Sequence, residues 1–231
     1  MQIHGIQKLT LLDFPGRTAC TVFTGACNFR CPFCHNASLV LHPDSQPAIP
    51  EADVLEYLRS RKGLLDGVAV TGGEPTLQKD LMEFLGKVKA MDLAVKLDTN
   101  GWDPEQLAMI TENGLADYVA MDVKSSLAGY SAACGVRDFD TSGVEESVRI
   151  LKRGTVDYEF RTTVVRQLHT PRVMEDLASW IRGDSRYFLQ GFKDFGDLLS
   201  DTCSGLNPEE METLLGIVRP YLPRAELRGV V

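Results

Sequence analysis

Three cysteines fall within the segment GACNFRCPFCHN, at Cys27, Cys31 and Cys34, in the spacing C-x3-C-x2-C. Thiolates this close together in one loop suit metal coordination better than cross-linking. Two metal chemistries compete. Structural zinc takes four ligands in a closed tetrahedron, and the adjacent candidate for the fourth is His35, directly after Cys34, where neighbouring side chains rarely reach one ion. An iron-sulfur cube held by three cysteines instead leaves its fourth iron free to bind something else. Cys20, Cys134 and Cys203 stand apart from this loop and read as structural thiols, and His4, His42 and His169 stand alone as surface or structural residues.

Three further polar clusters follow the cysteine loop: TGGEP (71–75), DTNG (98–101) and DVK (122–124). Paired glycines at a strand end let backbone approach a ligand closely, although an ordinary strand-to-helix turn also uses them. Asp98 opening DTNG equally fits an Asx-type turn that caps the next helix. Each cluster ends a β-type run, which raises the question of what brings the ends together.

Six such runs can be read, at 18–24, 67–72, 93–99, 117–123, 158–165 and 186–192, alternating with helical segments near 51–62, 77–91, 104–113, 143–153, 171–182 and 208–220. Asp103-Pro104, Thr170-Pro171 and Asn207-Pro208 each place a capping oxygen before a proline suited to the first helical position, and Asn207 with Glu210 has capping-box spacing. Near-continuous apolar strands joined through helices predict a parallel α/β sheet with right-handed crossovers. Six units predict an open, partial (β/α)6 barrel, with a doubly wound sheet as the alternative. In a parallel barrel the C-terminal strand ends meet on one rim, so the cysteine loop (25–36) and all three polar clusters converge there.

The chain has 231 residues, 44% of them hydrophobic, enough for one globular domain over 1–231. A net charge of −8, with no local Lys/Arg run, offers no footprint for a nucleic-acid backbone. No segment approaches the roughly 18 to 20 apolar residues of a membrane span, and the N-terminus lacks the form of a secretory signal, so a cytoplasmic protein is expected.

The C-x3-C-x2-C loop after the first strand resembles the signature of radical S-adenosylmethionine (SAM) enzymes. The resemblance implies that Cys27, Cys31 and Cys34 ligate a [4Fe-4S] cluster whose unique iron is chelated by SAM. It further implies that Phe33 packs against adenine, the alternative being a core anchor, and that Gly72, Gly73 and Glu74 form the motif that contacts the SAM amino group. KLDTNG and MDVK are similar to motifs of glycyl-radical-enzyme activases, which places Asp98 and Thr99 near the SAM amino group, Lys124 against its carboxylate and Asp122 beside it. Asp98, Thr99 and Asp122 also offer oxygens to a monovalent cation. Arg161 is a candidate for the SAM carboxylate or for a structural ion pair.

GIQKLTLLDFPG near the start, EFRTTVV, and AELRGV near the end resemble activating proteins of anaerobic ribonucleoside-triphosphate reductase. The implied function is reductive cleavage of SAM, with an electron from reduced flavodoxin or ferredoxin, to generate a glycyl radical on that partner. Other radical SAM chemistry on a peptide or small molecule, and a zinc-stabilised binding module, are the alternatives. Related activases carry a histidine near the end of the sixth strand; here the segment is LQGFKDFG (189–196), which leaves Gln190 or Lys193 as substitutes. The absence of cysteine from 37–50 gives a second cluster no ligands there.

Overall fold

The computed structural model of the protein describes residues 1–230. Its chain forms β1 (Ile3–Thr10), β2 (Ala19–Thr24), α1 (Ala37–Leu41), α2 (Glu51–Ser60), β3 (Gly67–Gly72), α3 (Leu81–Lys89), β4 (Ala94–Thr99), α4 (Pro104–Glu112), β5 (Tyr118–Asp122), α5 (Tyr130–Cys134), α6 (Ser142–Lys152), β6 (Asp157–Val164), α7 (Pro171–Trp180), β7 (Arg186–Gly191), α8 (Pro208–Val218) and β8 (Ala225–Arg228). All eight strands lie in one sheet in sequence order, with β1 antiparallel to β2 and every later pair parallel. Strand order never reverses, which excludes the doubly wound alternative. β1 and β8 end the sheet without pairing to each other, so the barrel is open.

The six expected strands correspond to β2 through β7, and the sheet extends beyond the six-strand expectation at both edges. β1 buries only its end residues Ile3 and Thr10, and Gly5 interrupts its pattern, so no alternation marked it. β8 is a four-residue strand, AELR, with little signal of its own. The five-residue helices α1 and α5 were likewise too short to show a period. The three proline-led helix starts form as expected: Asp103, Thr170 and Asn207 accept from the backbone N–H of Gln106, Val173 and Glu210, and Glu210 returns the bond in a capping box.

Strand alternation divides the residues between two environments. Val22, Val68, Val95, Leu97, Val119, Met121, Phe160 and Leu189 face outward and are fully buried beneath the helices, against side chains such as Phe84, Leu107, Leu151, Leu177 and Leu215. The lumen has a small apolar cluster of Phe14, Ala19, Ala94, Tyr118 and Ala120 at the strand starts, and toward the strand ends it carries charge. Lys96 pairs with Asp98, Asp98 with Arg161 at 3.3 Å, Arg161 with Asp122 at 2.9 Å, and Asp122 with Lys124 at 3.0 Å. Lower in the barrel Glu159, 1% exposed, receives both Arg228 nitrogens at 2.7 and 3.1 Å and the Tyr118 hydroxyl at 2.8 Å. Arg228 also lies over the Phe188 ring at 3.6 Å.

Alternating signs let these charges stay ionised away from water. Burial pushes the Asp122 carboxyl up, but Arg161 and then Lys124 outweigh it and hold the pKa down at about 2. Asp98 is also held below its usual value, burial being outweighed by Arg161 and Lys96 together. Both folded values are depressed, so the stability these carboxylates confer is complete above their unfolded values, about 3.9, and is lost as pH falls through the folded ones. Denaturant midpoints of the protein should therefore fall between about pH 4 and pH 2, and Asp122→Asn should lower the neutral-pH midpoint and flatten that acid limb. An acid limb equally steep in the variant would show that Asp122 does not carry it.

Candidate functional site

The C-terminal strand ends enclose a cavity of about 170 Å³ lined by Cys27, Cys31, Phe33, Cys34, Thr71, Gly72, Gly73, Asn100, Asp122, Lys124 and Thr163, with Phe29, His35 and Asn36 completing the wall. The cysteine loop and the three polar clusters thus meet on one rim, as their strand-end positions predict.

The loop is held from several sides. Ala26 enters it with φ of 64°, an uncommon backbone conformation for a residue with a side chain. Gly73 then passes so close that a Cβ on it would sit 1.8 Å from the Ala26 carbonyl oxygen, while Gly73 N–H donates to Thr24 O and Glu74 N–H to Ala26 O at 2.9 and 2.8 Å. The glycine pair serves this backbone docking as well as lining the cavity. On the opposite side Arg30 N–H donates to Cys134 O at 2.7 Å, and Gly135, with φ of 69°, would bring a Cβ to 2.0 Å of the Arg30 carbonyl oxygen. Phe29 packs edge-on to Phe139 with ring centroids 5.1 Å apart. Leu199 N–H donates to Cys34 O, and Asn36 donates to Gly72 O at 3.1 Å.

Burial raises the Cys27 thiol to about 11 and Cys31 to about 12, so a metal must displace their protons as it binds. Phe29 N–H points at Cys27 Sγ at 3.4 Å, a donor suited to a thiolate. Among the described residues no group of three His, Cys, Asp or Glu is gathered around a single metal ion. The rings of Phe192 and Phe195 flank His35, with centroids at 5.1 and 5.7 Å. His35 lines the cavity, and its Nδ1 is buried without a hydrogen-bond partner among the described residues. Cys20 and Cys134 are buried, and Cys203 is half-buried; all are free thiols outside the cavity.

Glu74 does not face the cavity. Its carboxylate, 1% exposed, accepts from Thr76 N–H at 3.1 Å, the Thr76 hydroxyl at 2.6 Å, the Thr99 hydroxyl at 2.8 Å and Asn100 N–H at 2.7 Å. Burial raises its pKa while these donors oppose the rise. Glu74 thereby ties the end of β3 to the end of β4. Asp98 and Thr99 are adjacent on β4 and project to opposite faces, Asp98 to the lumen ion pairs and Thr99 to Glu74. Their oxygens and those of Asp122 consequently do not converge as a cage for a monovalent cation.

Arg161 spends its guanidinium on Asp98 and Asp122, which places it in the structural ion pair of its two expected roles. Gln190 lies on β7 in register with Thr163 and Arg228, off the cavity wall, and Lys193 is exposed. Phe33 lines the cavity at 4% exposure, and Lys124 and Asp122 enter it as an ion pair. Asn36, Thr71, Asn100 and Thr163 are wall residues that the sequence reading left unassigned. Asn36 and Asn100 were within reach, because they stand inside the cysteine segment and DTNG.

One wall is thus sulfur-rich and the other presents backbone polar groups, a carboxamide and a paired cation and anion. That donor set fits a soft metal cluster beside a zwitterion. No helix among the described residues is long and apolar enough to cross a membrane.

The chain is 29% identical to a Methanocaldococcus jannaschii protein named for glycyl-radical enzyme activation, over 99% of this chain and 96% of that one. It is 31% identical to the GTP 3',8-cyclase of Helicobacter pylori over 66% of this chain and 48% of the cyclase, and 30% identical to the pyruvate formate-lyase-activating enzyme of Listeria monocytogenes over 53% of each. Streptococcus suis SuiB bound to S-adenosylmethionine shares the fold, with a TM-score of 0.67 and 15% identity over 88% of this chain and 48% of SuiB. This chain therefore spans about half the length of the cyclase and of SuiB. The Radical SAM superfamily profile matches residues 21–179, from the strand that leads into the cysteine loop to the helix after β6. The chain belongs to the Radical SAM superfamily, whose cofactors are a [4Fe-4S] cluster and S-adenosylmethionine.

Proposed function

We propose that this chain activates a glycyl-radical enzyme, with anaerobic ribonucleoside-triphosphate reductase as the partner and reduced flavodoxin or ferredoxin as the electron donor. The observation that carries the activase reading is the end-to-end likeness to the M. jannaschii protein, which extends beyond the shared superfamily segment. The opening KLTLLDFPG and closing AELRGV segments favour the reductase among glycyl-radical enzymes.

In this reading Cys27, Cys31 and Cys34 hold the cluster and leave its fourth corner to SAM. Phe33 offers an apolar face to adenine. Lys124 meets the methionine carboxylate, while Asn100 and the backbone of Gly72 and Gly73 meet the amino end. Asp122 fixes Lys124, and Arg161 fixes Asp122. Asp98 and Thr99 act one step away, Asp98 through Arg161 and Thr99 through Glu74. Gln190 is left without a SAM contact. Bound together, the cluster and SAM supply one-electron chemistry that removes a hydrogen atom from a glycine α-carbon. The gap between β1 and β8 leaves a side of the barrel for the partner's peptide loop to enter.

The direct test incubates the reduced, reconstituted protein with SAM and the reductase and records electron paramagnetic resonance. A glycine-centred doublet is the expected result. SAM cleavage without a doublet would instead favour the second reading, chemistry on another peptide or small molecule, which the likeness to the cyclase supports.

Alanine at Cys27, Cys31 or Cys34 should abolish cluster loading and SAM cleavage, whereas Cys134→Ala and Cys203→Ala should keep four irons per chain. Major iron loss in either of the latter would reveal a missed ligand. Lys124→Ala should weaken SAM binding on the order of ten- to a hundredfold, as expected for loss of a charge-assisted hydrogen bond, with iron content preserved. Gly73→Ala should cost about 1–3 kcal/mol in unfolding free energy and lower iron uptake, because the new methyl group meets backbone rather than a yielding side chain. Wild-type melting and iron content in that variant would show that the two loops part easily.

A further inference from the structure

His169 belongs to no motif and lies outside the cavity, yet it is 1% exposed and touches both cavity walls through its neighbours. Val165 N–H donates to its Nδ1 at 3.0 Å; Val165 O also lies 3.2 Å from Nδ1, but that carbonyl already accepts the His169 main-chain N–H at 3.0 Å, which assigns Nδ1 as the accepting nitrogen. The proton consequently sits on Nε2, which donates to the main-chain carbonyl of Lys124 at 2.9 Å. Its ring meets Phe33 edge-on, with centroids 6.0 Å apart and planes at 70°. One side chain from the turn between β6 and α7 thus bonds to the residue that carries the cavity's cation and packs against the aromatic residue preceding Cys34.

The backbone around Lys124 has other anchors. The Thr162 hydroxyl donates to Val123 O at 2.7 Å, and Lys124 N–H reaches the Tyr130 hydroxyl at 3.4 Å. Neither reaches the Lys124 carbonyl, which His169 holds. Without His169 that carbonyl would lose this donor in a buried setting, and the peptide unit after Lys124 could turn to find another.

We infer that His169 is a positioning residue for SAM binding: it fixes the Lys124 backbone by hydrogen bonding and the Phe33 ring by edge packing, so that ammonium and aromatic face stay in register across the cavity. This inference rests on the superfamily's cofactor pair and not on the identity of the partner enzyme.

Two variants separate the contributions. In His169→Gln the carboxamide can restore both hydrogen bonds, accepting from Val165 and donating to Lys124, while the ring is lost. In His169→Phe the ring is kept and both bonds are lost. Each is reconstituted with the cluster, and three quantities are read without any partner protein: thermal melting, SAM dissociation constant, and the electron paramagnetic resonance of the reduced cluster with and without SAM. The Phe variant is expected to bind SAM on the order of tenfold more weakly, as the loss of a buried hydrogen bond implies. The Gln variant is expected to bind within about twofold of wild type but to show an altered cluster spectrum, because Phe33 has lost the ring beside it.

Lower melting in both variants, with unchanged SAM affinity and unchanged spectra, overturns the inference and leaves His169 a purely structural residue. If the Phe variant fails to hold its iron, the Gln variant decides: an altered SAM-bound spectrum supports the inference, and a wild-type spectrum overturns it. Loss of the partner's glycyl radical assignment would leave all three readouts unaffected, so the two proposals fail separately.

Discussion

The lumen of this barrel is built on alternating charge. Lys96, Asp98, Arg161, Asp122 and Lys124 form a chain across β4, β5 and β6, and each interior member is neutralised on two sides. Burying any one of these ions alone would be strongly unfavourable. The sequence order of strands makes the chain possible, because β4, β5 and β6 are direct neighbours and their inward positions face one another. Lys124 therefore reaches the cavity as the end of an extended electrostatic structure, already oriented before any ligand arrives. Preorganisation of this kind reduces the ordering cost of binding.

The opposite wall is organised by close backbone contact. Gly73 against Ala26 and Gly135 against Arg30 are approaches that a methyl group would forbid, and between them the thiol loop is seated by peptide groups. Side chains complete the arrangement: Phe29 fills the space under the loop, while Glu74 locks the end of β3 to Thr99 and Asn100. The sulfur wall and the charged wall are thus fixed by different physics and meet along one rim.

Much of this was legible in the chain itself. Six strand-helix units, three helix starts and the convergence of four loops followed from apolar runs and capping residues, because these are local signals. The cysteine spacing marked out one loop, and the structure places Cys27, Cys31 and Cys34 together on the cavity wall. Side-chain direction was harder. Glu74 and Thr99 read as cofactor contacts because they stand in motifs, but their donors and acceptors are satisfied by one another across two strands. Arg161 showed no partner in sequence because Asp98 and Asp122 come from other strands. The edge strands were silent for a different reason: β1 is mostly unburied and β8 too short to display alternation.

The neighbour-to-neighbour strand order also bears on how the protein matures. A chain that pairs each strand with its successor can add strands vectorially during synthesis, without waiting for distant segments. The thiol loop follows β2, but its clamps arrive late: Gly73 first, then Cys134, and finally Leu199. Segments as far apart in sequence as Gly73, Cys134 and Leu199 must therefore be in place before the thiol loop has all of its backbone contacts.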